Sequence, residues 1–180
     1  SIIQSTHDAA QSSAVKAINR MQTMRNWLIG YYIVEYEQHG KDRAEYGTQL
    51  LKKLEERVNR KGLNVTLFQT SRNFYRLYPQ MGGLFVQNEI YSTLSNKSGN
   101  SIPLMDKSAD AQSNTNCATV SHNFQTPPEM IVSRLSFSHI REIMSVDDPL
   151  ARYFYEQECI KCTWSVRELR RQISTNLYFR

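Results

Sequence analysis

Between Asp8 and Gln38, apolar positions recur in alternating steps of four and three at Ala10, Ala14, Ala17, Met21, Met24, Leu28 and Tyr31. That heptad seam predicts one long N-terminal helix. Ile18, Trp27, Ile29 and Ile33 lie off the seam, so the second half of the helix is apolar on more than one face and should pack in a bundle. Gly30 weakens the helix without ending it, and His39-Gly40 is the stop signal. A second amphipathic pattern runs from Gly47 to Arg60, with Leu50, Leu51, Leu54 and Val58 inward and Lys52, Lys53, Glu56 and Arg57 outward. Lys61 to Val65 reads as a tight turn around Gly62, and Thr66 is placed to cap a third helix from Leu67 to Leu77. That helix must stop near Tyr78, because Pro79 follows. Helix, glycine-containing turn and helix is the helix-turn-helix arrangement.

The pattern then changes. Apart from a short helix expected near Leu84 to Leu94, residues 80–126 are rich in Ser and Asn and poor in large apolar residues, which predicts a flexible polar insertion or linker. Pro127 and Pro128 restart order. Helices are expected at Glu129 to Arg134 and Ser138 to Met144, and Asp148 followed by Pro149 starts another that reaches Cys162. Ser165 and Glu168 have capping-box spacing. In the helix they begin, Val166, Leu169, Ile173 and Leu177 form an apolar stripe, with Arg167, Arg170 and Arg171 on the other faces. No strand or solenoid repeat is expected. The fold class is all-α: a multi-helix bundle with residues 1–79 as long helix plus helix-turn-helix, 80–126 as insertion, and 127–180 as a helical module packing on the first part.

The charge is uneven. The chain carries a formal +5, and residues 1–80 hold twelve Lys/Arg against seven Asp/Glu, so the whole excess lies in the first half. A basic balance of this kind suits an anionic partner. Cys117, Cys159 and Cys162 are too few for a disulfide framework, which fits a reducing, cytoplasmic setting. No apolar run approaches the roughly eighteen residues needed to cross a bilayer, so no membrane partner is expected. The first residue is Ser1 rather than Met, and the sequence reads as an excised piece of a longer protein.

Candidate chemistry follows the helices. Gln69, Thr70, Arg72, Asn73 and Arg76 are polar residues of the third helix, and from a helix in the major groove Arg reads guanine while Asn or Gln reads adenine. Lys52, Lys53, Arg57, Arg60 and Lys61 precede it and suit phosphate contacts, which position the protein without reading sequence. Arg167, Arg170 and Arg171 are candidate phosphate or partner contacts, set against the alternative of a solvated face. Cys159 and Cys162 have CxxC spacing, but no second ligand pair exists, so no metal is expected. Acidic pairs such as Asp147-Asp148 are explained by capping, and neither a phosphate-cradling glycine loop nor a nucleophile motif is present. No catalytic residue and no cofactor are assigned.

The runs AEYG, FYRLYP and SFSHIRE, in that order, together with the later Trp-Ser-x-Arg-x-Leu, resemble the N-terminal domain of the YhcG family of bacterial proteins. The likeness extends over nearly the whole chain outside 80–126. Departures are Cys162, where Gly or Asn is usual before the Trp, and Phe137, where Trp is usual. The resemblance implies a helix-turn-helix type domain preceding a PD-(D/E)xK nuclease domain that this sequence lacks, in a protein of genome defence or mobile elements. The chain would then be the DNA-binding, homodimerising front end of that enzyme. The alternative is a protein–protein interaction or oligomerisation module without direct DNA contact, suggested by the heptad seam.

Overall fold

The computed structural model describes residues 1–37, 45–86 and 125–180. The expected break at His39-Gly40, most of the insertion and Cys117 lie outside them. Among the described residues every regular element is helical, in the order α1 (Ile2–Tyr32), α2 (Glu45–Val58), α3 (Val65–Leu77), α4 (Gly83–Val86), α5 (Pro128–Arg134), α6 (Phe137–Ile143), α7 (Pro149–Cys162) and α8 (Val166–Ser174). A π-helical turn, Ile33–Glu37, extends α1, and 3-10 turns occupy Pro79–Gly82 and Leu177–Phe179.

The helix starts follow local chemistry. Asp148 accepts the Leu150 N–H at 3.0 Å, with Pro149 in the first turn of α7. Ser165 accepts the Glu168 N–H at 3.2 Å. Only half of the expected box forms there, because the Glu168 carboxylate is drawn instead to Arg171 at 2.5 Å and Gln172 at 3.2 Å. At α3 the cap is Asn64 rather than Thr66. Its side-chain oxygen accepts the Leu67 N–H at 2.8 Å, so the helix begins two residues before Leu67.

One hydrophobic cluster joins the two halves of the chain. Met24 and Trp27 of α1 meet Phe74 and Tyr78 at the end of α3, Met81, Leu84 and Phe85 beyond it, and Ile131, Leu135, Ile140, Ile143, Tyr155 and Leu169 from α5–α8. A smaller cluster of Ile33, Leu51, Leu54 and Phe68 fastens α2 to α1 and α3. Val58, expected inward, is exposed at the last position of α2.

Trp27 organises the joint. Its indole N–H donates to the Tyr78 carbonyl at 2.8 Å, and its ring stacks on Phe85 at 5.1 Å and meets the edge of Tyr75 at 5.2 Å. Gly30 explains how closely α1 and α3 approach. A methyl there would lie 2.0 Å from the Ser71 carbonyl oxygen and 2.9 Å from the Tyr75 Cβ. The glycine that looked like a weak point in a helix is a packing requirement. The heptad seam divides at the same joint: Met24, Leu28 and Tyr31 pack within the chain, whereas Ala10, Ala14, Ala17 and Met21 are exposed on an arm.

Candidate nucleic-acid interface

α3 buries Phe68, Ser71 and Phe74 against α1 and α2, which turns Gln69, Arg72, Asn73 and Arg76 to another side at i, i+3, i+4 and i+7 spacing. Gln69, Asn73 and Arg76 are exposed, and Arg72 is half-buried. One Arg72 Nη donates to the Gln69 Oε1 at 2.9 Å. Thr70 is half-buried and spends its hydroxyl on the Thr66 carbonyl at 2.8 Å, which leaves it a lesser part on this face.

Arg72 is the most perturbed cation here. Its Nε is buried without a hydrogen-bond partner among the described residues. Burial and the neighbouring Arg76 charge both push its pKa below the ordinary arginine value. Arg72 follows buried Ser71 on α3, and the like charge of Arg76 stands one turn further along the same helix.

The cations before α3 are all exposed: Lys52, Lys53 and Arg57 on α2, Arg60 and Lys61 in the connection. Gly62 at φ +87 occupies the third position of a turn closed by the Leu63 N–H on the Arg60 carbonyl at 3.0 Å, which holds Lys61 at the tip. Lys52, Lys53, Arg60 and Lys61 make no ion pair among the described residues.

The three arginines of α8 separate. Arg170 grips Glu142 of α6 in a fork, Nε to Oε2 at 3.1 Å and Nη2 to Oε1 at 2.7 Å, and holds that carboxyl below the usual range. Arg171 pairs with Glu168. Arg167 is exposed and makes no ion pair among the described residues. Two of the three therefore serve the helical module itself.

Two structural groups escaped sequence reasoning as such. His139 Nδ1 accepts from the Ser136 N–H at 3.2 Å and meets its hydroxyl at 2.8 Å, while Nε2 lies 3.0 Å from the Trp164 carbonyl. A neutral ring protonated on Nε2 satisfies all three contacts, and burial lowers its pKa. The Ser-Phe-Ser-His run is thus a clasp between the start of α6 and the α7–α8 turn. Glu156 of α7 is buried, with one oxygen accepting from the Tyr78 hydroxyl and the other from Thr126 Oγ1 at 2.6 Å. Gln157 Nε2 donates to the same Thr126 hydroxyl at 3.0 Å. Burial raises the Glu156 pKa against the lowering effect of those bonds. Cys159 is buried, its thiol pushed up to about 11 by burial and by Cys162, while Cys162 is exposed. Among the described residues no three His, Cys, Asp or Glu gather as a metal site, and no helix is long and apolar enough to cross a membrane.

The chain matches the family described as the DUF1016 N-terminal domain over residues 2–180. It is 35% identical over 180 residues to the protein named "Putative nuclease YhcG" of Escherichia coli (strain K12), an alignment covering 96% of this chain and 43% of that protein. The chain thus spans under half the length of this relative. No solved structure gives a significant match.

Proposed function

This chain belongs to the DUF1016 N-terminal domain family, and from that premise we propose that it is the DNA-binding, dimerising front end of a nuclease. The observation that carries the reading is Arg72, a partly desolvated guanidinium with an orphaned Nε beside a second arginine. Such a group gains from an anion, and phosphate or a guanine edge matches its fork of donors. Arg76, Asn73 and Gln69 share its face. Gln69 holds Arg72 in readiness and, with Asn73, offers the amide that pairs with adenine. Lys52, Lys53, Arg57, Arg60 and Lys61 grip the backbone on either side, and Arg167 is a further phosphate contact.

Cleavage belongs, on this reading, to a linked catalytic domain of the PD-(D/E)xK type that the family resemblance implies. A homodimer would present two reading helices about a twofold axis, as palindromic sites require.

The test is fluorescence anisotropy of the chain with duplex, single-stranded and branched DNA at two salt concentrations. Arg72→Ala should cost about 1–3 kcal/mol of binding. Lys52→Ala should weaken all sequences alike and flatten the salt dependence by about one unit of slope. Duplex binding that is absent at low salt, or indifferent to Arg72→Ala and Arg76→Ala, refutes the proposal. In that event the second reading stands, a protein-interaction module. It is favoured by the exposed arm of α1.

A further inference from the structure

Residues 2–18 and 20–22 of α1 are exposed, so two-thirds of a 31-residue helix extends from the core with little covering it among the described residues. An isolated helix of this kind is marginal in water, and its stability ordinarily comes from packing an apolar face. The arm bears such a face. Ile2 and Ile3 at its tip are 85% and 80% exposed, and Val15, Ile18 and Met21 are each at least half exposed. At its root the stripe runs into an apolar groove of about 650 Å³, walled by Ile18, Met21, Leu28, Ile29, Tyr32 and Phe85. One end of the helix carries an aliphatic plug, and the other carries an apolar recess.

We propose that this face is covered by α1 of a second copy running antiparallel, with the plug of each chain in the recess of the other. The inference rests on the dimerising part of the function proposed above and adds its surface, orientation and register. If the paired residue numbers sum to 31, Leu28 faces Ile3 of the other copy, Ile29 faces Ile2, Met21 faces Ala10 and Ala14 faces Ala17. Met21 then lies against Ala10, the aliphatic plug meets the recess at each end, and the small residues at the middle of the arm let the helices approach closely. Charge selects the same direction. In a parallel pair Arg20 and Arg25 fall on the flanking g and e positions that face each other across the seam, placing like charges together on both sides. In the antiparallel register g faces g and e faces e, so Arg20 faces Ser13 and Arg25 faces Gln4, both neutral hydrogen-bonding residues. The paired stretch from Ile3 to Leu28 is on the order of 40 Å long.

The experiment uses the 180-residue chain with Cys117 and Cys162 replaced by Ser, sedimentation equilibrium for mass, and disulfide trapping for direction. Copies carrying Ala10→Cys mixed with copies carrying Met21→Cys should give the crossed disulfide in preference to either self-linked product. Ile3→Ser, at a residue exposed in the single chain, should weaken the dimer at least tenfold with an unchanged melting profile of the monomer. A self-linked Ala10→Cys product without the crossed one means a parallel pair and overturns the proposal. So does a dimer indifferent to Ile3→Ser and Met21→Ser; in both cases the dimeric reading survives and only this surface falls. A chain that stays monomeric to high concentration overturns both, and assigns the face to a segment of a longer protein.

Discussion

Replacing Gly30 by Ala tests whether α3 is held by a close backbone approach to α1. The new methyl would lie 2.0 Å from the Ser71 carbonyl oxygen, where carbon–oxygen contacts ordinarily need about 3.5 Å. The obstacle is backbone, so α3 must retreat by more than about 1 Å. That retreat opens the Trp27–Tyr75 contact and the bond from Trp27 to the Tyr78 carbonyl. Overpacking of this kind costs about 1–3 kcal/mol, and alanine returns up to about 1 kcal/mol through helix propensity. The net loss is about 1–2 kcal/mol, which for a chain of this size lowers Tm by roughly 2–8 °C. Gly83→Ala is the control, since Gly83 is helical and an added Cβ there meets nothing within 4 Å. Differential scanning calorimetry of both variants decides the matter. An unchanged or raised Tm for Gly30→Ala, matching Gly83→Ala, would refute the close approach. If the proposed DNA contact through Arg72 holds, DNA affinity should fall with stability in Gly30→Ala and not in the control, because Arg72 adjoins Ser71.

Two further predictions concern pH. The Glu156 pKa is raised in the fold, so its stabilising contribution is complete below the ordinary carboxylate pKa and is lost as pH rises through the folded value. Glu156→Gln should therefore gain in Tm relative to the parent as pH rises from 4 to 8, whereas Glu156→Ala, which orphans the buried Tyr78 hydroxyl, should cost about 1–3 kcal/mol; a Tm difference between Gln and Glu that ignores pH would count against the buried carboxyl. The His139 pKa is lowered, so its contribution is complete above the ordinary imidazole pKa and disappears as pH falls through the folded value. His139→Ala should cost about 1–2 kcal/mol at pH 8, with the deficit shrinking as pH falls below about 6.5, and a deficit that grows on acidification would remove the neutral clasp.

Much of the helical order was legible because it rests on local signals. Asp148-Pro149 and Ser165 start helices where their capping chemistry predicts, and Pro79 ends α3 as its missing N–H demands. Tertiary placement was less legible. Ala10 and Met24 occupy the same seam, yet one is exposed and the other buried, because periodicity identifies a face without saying what covers it. Gly30 carried a sequence cost whose reason lies 41 residues away in Ser71. At the candidate site, the spacing of Gln69, Arg72, Asn73 and Arg76 was readable from one helix. The orphaned Nε of Arg72 was not, since the burial of a single nitrogen depends on side-chain placement that helix spacing does not give. Arg170 looked like Arg167 in sequence and differs only because Glu142 stands opposite, 28 residues back.

The link from Tyr78 through Glu156 to Thr126 also bears on how the chain can change in length. Leu84 and Phe85 on one side, and Thr126 on the other, are fixed in one interior. Two points 41 residues apart in sequence, Phe85 and Thr126, are therefore held by the same folded interior. The entropy of closing a flexible loop grows only with the logarithm of its length, about 0.6 kcal/mol per doubling. A change in the number of residues between Phe85 and Thr126 would alter a closure term of that kind only logarithmically, while the contacts that hold the two ends stay the same.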